Sequence, residues 1–363
     1  MNSGFLSKKV LLSKMARNLR ILEYTVPESF HGKTVEAFLR EEGYTKRLLS
    51  SLKRMQYEEN GVICHGIEKN GKWVFTVDRL SIGDHLRISI LETEEEPSAP
   101  DFPLPLEIVY EDQDILLLNK PLGIPCHPSP GHFEGTLAGA IVYHYEKEEN
   151  IRPFVCRLIH RLDLDTSGIL LVAKNQFSAS FLNEEMQKGQ IRRHYTAFCI
   201  GNPYQRVSQM AEEGTLPRGV SFGKEKIRIH APIARTARAE MRRTVDFEIG
   251  QDATTNILSI QFLPEINCSL LSLELETGRT HQIRVHLAYI ACPLLGDLFY
   301  GIEEKDEVHK NGNGETSVPS IARQALHSSS IRFIHPVKKK EMHFSIPLPV
   351  DMQTLMDVGE KAK

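Results

Sequence analysis

Three segments of the chain place polar and ionisable residues at the edge of an apolar run, where a scaffold commonly builds a site. The first, His160-Arg161-Leu162-Asp163-Leu164-Asp165-Thr166-Ser167-Gly168, leads straight into the apolar stretch 169–173. An Asp between two leucines, just ahead of a buried strand, is expected to be partly desolvated. It can serve as a nucleophile, or it can simply close an Asx turn. The second is Leu275-Glu276-Thr277-Gly278-Arg279-Thr280-His281-Gln282-Ile283-Arg284-Val285-His286, a strand end followed by the first turns of a helix. A helix N-terminus favours anions, and Arg279 and Arg284 add positive charge. A solvated helix face with Arg284 in a surface ion pair fits the same pattern. The third, Ile191-Arg192-Arg193-His194-Tyr195-Thr196-Ala197, opens an apolar strand on a Tyr. A Tyr behind a basic run can take part in chemistry through its phenol, or it can merely sit at the rim of the strand.

The elements that must position these residues are legible around them. The run 169–173 is continuously apolar and reads as a fully buried strand. Residues 271–276 alternate and predict a strand with one wet face. Thr280 is expected to cap a helix through residue 291, with Ile283, Leu287 and Ile290 on one stripe. Strands at 106–110 and 114–118 lead to Asn119-Lys120-Pro121, where the proline keeps Lys120 out of a helix. A Pro- and Gly-rich loop, 121–135, follows and carries His127. Helices are expected at 138–146 and around 181–186, and another strand at 195–200. Helices interspersed irregularly among strands predict an α+β fold with a central mixed or antiparallel sheet flanked by helices.

An acidic, proline-rich stretch at 92–105 reads as a linker. It divides a small unit, 20–91, from a larger one, 106–350, with a basic tail at 1–19 and a C-terminal tail at 351–363. The small unit is expected to hold a strand at 22–26, then a helix at 34–42 with Val35, Phe38 and Leu39 on one face. A basic helix at 46–55 carries Lys46, Arg47, Lys53 and Arg54. Short strands at 62–63, 73–77 and 86–90 are punctuated by turns at His65-Gly66 and Gly83-Asp84. This order resembles the RNA-binding module first described in a small-subunit ribosomal protein, which usually has an Asn-Gly turn where this chain has His65-Gly66. The resemblance implies RNA contact through the basic helix.

Composition is that of a globular protein: 363 residues, 41% hydrophobic and 25% charged, with a net charge of −3. Affinity for a polyanion can still come from a local stripe. Residues 224–243 are lopsidedly basic and include Arg235, Arg238 and Arg242; a polyanion partner and a solvated face both suit such a run. No apolar run approaches the roughly 18 residues a membrane helix needs, and residues 1–20 lack a secretory h-region. The six cysteines and fifteen histidines form no ligand pattern, so reduced thiols, a cytoplasmic location and no metal are expected. Nothing demands more than a monomer.

Together the segments resemble the RluA-type family of RNA pseudouridine synthases. The matching stretches are Leu118-Asn119-Lys120-Pro121-Leu122-Gly123 with His127-Pro128, residues 160–168, Arg193-His194-Tyr195, and residues 277–286 with Pro293 and Gly296-Asp297. Ala325-Leu326-His327 and Phe344-Ser345-Ile346-Pro347-Leu348-Pro349 fit as well. Arg193 stands where the family usually has Lys, and Ala291-Cys292-Pro293 where a Gly-His-Pro is common. The resemblance implies that Asp163 is the nucleophile, that Tyr195 lies over the target base, that Arg284 pairs with Asp163, and that Arg161 fills the space of a flipped uridine. RNA contacts are expected from Lys120, His127, Arg193, Arg279, His281, the basic run and the basic helix. The reaction is redox-neutral and implies no cofactor. Ribosomal RNA is the favoured substrate, with transfer RNA the alternative. A glycosidase would ordinarily need two carboxylates about 5–10 Å apart across the bond, and Asp163 and Asp165 sit in one loop. A non-catalytic RNA-binding assembly factor would not need all of Asp163, Tyr195 and Arg284.

Overall fold

Apolar residues at every second position make the strands of this chain, and those at i, i+3 and i+4 make its helices. The computed structural model describes residues 18–92, 100, 102–129, 131–236, 242–301 and 320–361. The N-terminal unit runs β1 (Leu19–Thr25), α1 (Val35–Glu41), α2 (Lys46–Leu52), β2 (Gln56–Glu59), β3 (Val62–His65), β4 (Ile67–Lys69), β5 (Lys72–Trp73) and β6 (His85–Leu91). Next come β7 (Ile108–Glu111), β8 (Ile115–Lys120), α3 (Leu137–Tyr143), β9 (Arg157–Leu158), β10 (Ser167–Ala173), α4 (Gln176–Gln187), β11 (Arg192–Ile200) and α5 (Pro203–Glu212). The chain continues with β12 (Val220–Gly223), β13 (Lys226–His230), β14 (Ile233–Arg235), β15 (Arg243–Val245), β16 (Thr254–Leu263) and β17 (Cys268–Leu275). It closes with α6 (Gln282–Tyr289), β18 (Leu326–Ile334), β19 (Glu341–Ser345) and α7 (Val350–Lys361).

The large sheet has eleven strands, ordered β12-β13-β16-β17-β11-β18-β10-β8-β7, with β19 beside β18 and β9 beside β10. Its pairings are antiparallel except β10 with β18, which run parallel through Ser167–His327 and Gly168–Ser328. This is the mixed, helix-flanked α+β sheet expected. All of β10 is buried, because Leu170 and Val172 pack with α3 on one face while Ile169, Leu171 and Ala173 pack with α4 on the other. One row across the sheet matters most: Gly168 faces Ser328, Ser328 faces Tyr195, and Tyr195 faces Leu273. Gly168 has φ +120, and an added Cβ would stand 2.3 Å from the Ser328 carbonyl oxygen, so only glycine lets the loop end this close to β18.

The N-terminal unit keeps its own core beneath a four-stranded sheet ordered β1-β6-β4-β5. Thr34 and Thr45 cap α1 and α2 by accepting backbone N–H bonds from Ala37 and Leu48. The unit is docked against the large sheet's flank. Arg20 forks onto Asp114 at 2.8 and 2.9 Å, the Tyr44 ring packs 4.5 Å from Phe177 of α4, and Lys339 Nζ donates to the Glu42 carbonyl at 2.9 Å.

Several local expectations are corrected. The turn in the N-terminal unit is Asn60-Gly61, joining β2 to β3 with φ +50 and +81, not His65-Gly66. An Asn-Gly pair supplies the two left-handed residues a tight hairpin needs, and it stands five residues before His65-Gly66. Residues 74–77 join no strand, although Val74 and Thr76 still point inward. Glu92 is not part of a solvated linker; it is buried and holds Arg157 at 2.6 Å. Residues 351–361 are no tail, since Met352 and Leu355 of α7 pack into the core beside Phe198 and Leu263.

Candidate active site

Asp163 is presented by a loop that is tied down on both sides of it. The Leu162 backbone N–H bonds the Cys126 sulfur at 3.3 Å, and that thiol donates back to the Leu162 carbonyl at 3.3 Å. On the other side, the Leu164 carbonyl accepts from Lys120 Nζ at 2.9 Å. Lys120 is fully buried and also donates to the carbonyls of Pro121 and Ile124 at 2.7 and 2.9 Å. Burial pushes its ammonium down to about 8. The two flanking leucines are thus clamped to the 121–126 segment, and the Asp163 side chain projects into a cleft of about 570 Å³ with 18% of its surface exposed. Lys120 was expected to contact RNA. It cannot, because three carbonyls already take its ammonium protons.

Arg284 approaches from α6. Its Nη1 lies 3.6 Å from Asp163, but its firm partner is Asp297, which takes Nε at 2.7 Å and Nη2 at 2.8 Å. Burial opposes the guanidinium's charge, yet the Asp297 hydrogen bonds and the nearby carboxylates hold it above its ordinary value. Asp297 also accepts the backbone N–H groups of Phe299 and Tyr300, whose rings each lie 5.2 Å from the Arg284 guanidinium. The pairing expected between Arg284 and Asp163 is therefore real but secondary.

The start of α6 corrects another expectation. Thr280 does not cap it; the helix starts at Gln282, after His281 in a left-handed conformation with φ +57. Gln282 organises the turn by accepting from Thr277 Oγ1 and the Arg279 N–H, while donating to the Thr254 carbonyl and Thr255 Oγ1. Thr280 instead accepts from Arg161 Nη2 at 2.8 Å. His281 shares a hydrogen bond between Nδ1 and Tyr300 Oη at 2.9 Å and points Nε2 toward Asp163 at 4.0 Å. Burial, aided by Arg284 and against Asp163, lowers its pKa, so the ring is neutral near pH 7.

Tyr195 stands on β11 beside a register shift and is 4% exposed. Burial raises its phenol above the usual value, with Arg193 pulling the other way. Arg193, on the same strand face, is buried and donates to the Thr277 carbonyl at 3.1 Å. Gly278 leaves it room, since a Cβ there would stand 2.9 Å from the guanidinium. His160, which burial drives down to about 3, closes the back of the cleft.

The structure thus gathers Asp163, Tyr195, Arg284, Arg161, Arg193, His127, Arg279 and His281 around one cleft. The basic run does not form one stripe. Lys226 and Arg228 lie on β13, where Arg228 pairs with Glu276, whereas Arg235 and Arg242 are exposed on the hairpin β14–β15. Arg238 lies outside the described residues. That hairpin adjoins the site, because the Arg243 N–H donates to Tyr300 Oη at 2.7 Å. Lys46, Arg47, Lys53 and Arg54 are exposed on and just after α2 and line no part of the cleft. Asp297, Gln282, Tyr300 and Cys126 received no role from the sequence. Gln282 and Asp297 lay within stretches that match the family, 277–286 and Gly296-Asp297, whereas Tyr300 and Cys126 carried no signal.

Among the described residues one group, Asp112, Asp114 and His335, brings potential metal ligands within 4.8 Å of each other. Lys338 sits 2.6 Å from Asp112 and Arg20 forks onto Asp114, so protein cations already answer both carboxylates. No described helix is long and apolar enough to cross a membrane.

Comparison with known proteins gives the chain's family. Residues 114–289, which contain Asp163, Tyr195 and Arg284, match the family model described as RNA pseudouridylate synthase. The chain is 35% identical over 323 residues to the uncharacterized RNA pseudouridine synthase YjbO of Bacillus subtilis, covering 89% of this chain and 98% of that one. It is 31% identical over 336 residues to ribosomal large subunit pseudouridine synthase D of Yersinia pestis, covering 93% and 94%. With the same-named protein of Escherichia coli it shares 34% identity over 267 residues, 74% of each chain. A family model matched across the strands and helix that line the cleft, together with relatives aligned over nearly their full length, leads to one conclusion: the chain belongs to the RNA pseudouridine synthase family, isomerases that convert uridine to pseudouridine in RNA.

Proposed function

We propose that this enzyme isomerises uridines of large-subunit ribosomal RNA, with Asp163 as the nucleophilic carboxylate and with the target base flipped into the cleft. The observation that carries the reading is the Asp163 carboxylate, held at 3.6 Å from an Arg284 that is itself locked onto Asp297. An arginine held on Asp297 in this way faces the Asp163 carboxylate without closing onto it, which leaves the carboxylate oxygens free to attack. Isomerisation breaks the N1–C1′ bond, turns the uracil and forms C5–C1′, with the C5 proton lost and N1 taking one up. The carboxylate acts at C1′ or at C6, or stabilises an oxocarbenium-like sugar. Tyr195 stacks against the ring and can relay a proton.

Arg161, exposed at the cleft mouth and steadied by Thr280, fills the gap that the extruded base leaves in its helix. Extrusion costs a few kcal/mol, and phosphate contacts from Arg235 and Arg242 on the adjoining hairpin offset it. The ribosomal substrate is supported by the names of the relatives that align over most of this chain. The test uses ribosomal RNA labelled with tritium at uridine C5, from which label reaches water only when C5–C1′ forms. Wild-type enzyme should release it and Asp163→Asn should release none. Release by Asp163→Asn at the wild-type rate would overturn the assignment, and a map of pseudouridines in cells with and without the gene names the position.

A further inference from the structure

The N-terminal unit carries an exposed aromatic cluster that lines no part of the cleft. Trp73 ends β5, the edge strand of the four-stranded sheet, and is 43% exposed. Its ring is stacked on His65, centroids 5.3 Å apart and planes 20° from parallel, and Phe75 adjoins it at 4.5 Å. Phe75 and Val77 are 56% and 72% exposed, because the alternation of 73–77 turns Val74 and Thr76 inward and leaves the larger side chains in water. A large apolar surface of this kind on a soluble face marks a contact site.

The surroundings of the cluster indicate its occupant. Gly66 donates its N–H to the Met55 carbonyl, and a Cβ on it would collide with the Leu52 carbonyl oxygen at 2.3 Å. That close approach sets His65 beside the end of α2, where Lys53 and Arg54 are exposed. The nearby acids Glu59 and Glu68 are turned to Arg87 at 3.6 and 3.4 Å, which reduces their repulsion of an anion. Half-exposed aromatic rings next to exposed cations are what single-stranded nucleic acid needs: bases stack on the rings and phosphates meet the ammonium and guanidinium groups.

We infer that His65, Trp73 and Phe75 form a base-stacking platform for unpaired nucleotides of the RNA substrate, flanked by Lys53 and Arg54 as phosphate contacts. The inference rests on the RNA reading above but not on which uridine is modified. It gives the N-terminal unit a role in grasping a single-stranded segment while the cleft acts on another.

Trp73 is the sole tryptophan of the chain, so its fluorescence reports on the platform alone. The full-length protein is titrated with a short oligoadenylate, which offers the cleft no uridine. Stacking should quench Trp73 emission saturably, in wild type and in Asp163→Asn alike. By anisotropy of a labelled oligoadenylate, Trp73→Ala and Phe75→Ala should each weaken binding about 5- to 150-fold. Their salt slope should stay that of wild type, and Trp73→Phe should restore most of the affinity. Both substitutions are at exposed rings, and circular dichroism checks that the variants are folded. Unaltered Trp73 emission at saturating RNA, or wild-type affinity in Trp73→Ala, would overturn the platform. Loss of isomerisation in Asp163→Asn without any quenching of Trp73 would sink the platform and leave the catalytic reading standing, whereas quenching with full isomerisation in Asp163→Asn would do the reverse.

Discussion

Asp297→Asn isolates the device that holds Arg284 beside Asp163. The Asp297 side chain is fully buried, and its two oxygens lie 2.7 and 2.8 Å from Arg284. At an effective dielectric of about 20, a unit pair at the shorter distance is worth roughly 6 kcal/mol, against roughly 5 for Asp163 at 3.6 Å. The asparagine keeps the shape and can still accept one bond, but it leaves a buried guanidinium whose remaining anion is Asp163. Breaking a buried pair in this way costs about 3–5 kcal/mol, which for a domain of this size lowers Tm by roughly 6–20 °C. Arg284 should then close from 3.6 Å onto Asp163, the other carboxylate within reach. A displacement of about 1 Å at a reacting group costs on the order of 100-fold in rate, so kcat should fall by that factor while KM changes little. Single-turnover tritium release gives the rate, oligonucleotide anisotropy gives binding, and a thermal melt gives stability. A variant that melts below wild type yet isomerises at the wild-type rate would refute the positioning role. One that matches wild type in both would refute the pairing itself.

Stability should fall on acidification through His286, which is fully buried, donates Nε2–H to the Ala231 carbonyl at 2.9 Å and shares Nδ1 with Thr255 at 2.8 Å. Burial depresses it to about 4, so the unfolded chain binds the proton first; stability is full above about pH 6.5 and is lost as pH falls from there to about 4, by roughly 3 kcal/mol from this residue. Urea melts across that window test this, and a flat profile contradicts it. Gly168→Ala meets the Ser328 carbonyl at 2.3 Å with φ +120, and should destabilise by more than about 1–3 kcal/mol or prevent folding; a wild-type melting curve would show that the loop can retreat. Replacing Arg235 and Arg242 by Gln should weaken RNA binding uniformly and reduce the salt slope by about 1 for each phosphate no longer neutralised. An unchanged slope would remove the β14–β15 hairpin from the interface.

Much of the site was legible because its parts are contiguous segments. The loop 160–168 enters the buried strand β10 directly, β17 alternates, and Tyr195 begins an apolar run, so spacing pointed to three candidate places while leaving a plain structural role open at each. The leucines of α2 likewise announced a helix with a basic outer face, and β-branched, apolar 169–173 announced a central strand. These features depend on neighbours in the chain, whose periodicity is written in the residues themselves.

What only the tertiary structure decided are relations between elements far apart in sequence. Lys120 read as a cation for phosphate, but the fold brings the Leu164 carbonyl to it across 44 positions and turns it into a clamp. Thr280 read as a cap, yet Gln282 wins that role because Thr254 and Thr255 of β16 offer it partners that no local pattern reveals. The run 224–243 read as one stripe, and sheet pairing divides it between β13, where Arg228 meets Glu276, and a separate hairpin beside the cleft. Above all, Arg284 read as the partner of Asp163, whereas a turn after α6 carries Asp297 back beneath it and takes its two best donors. Local propensity chooses helix, strand and turn; which buried charge faces which is settled only when packing excludes water and leaves each polar group its nearest remaining partner.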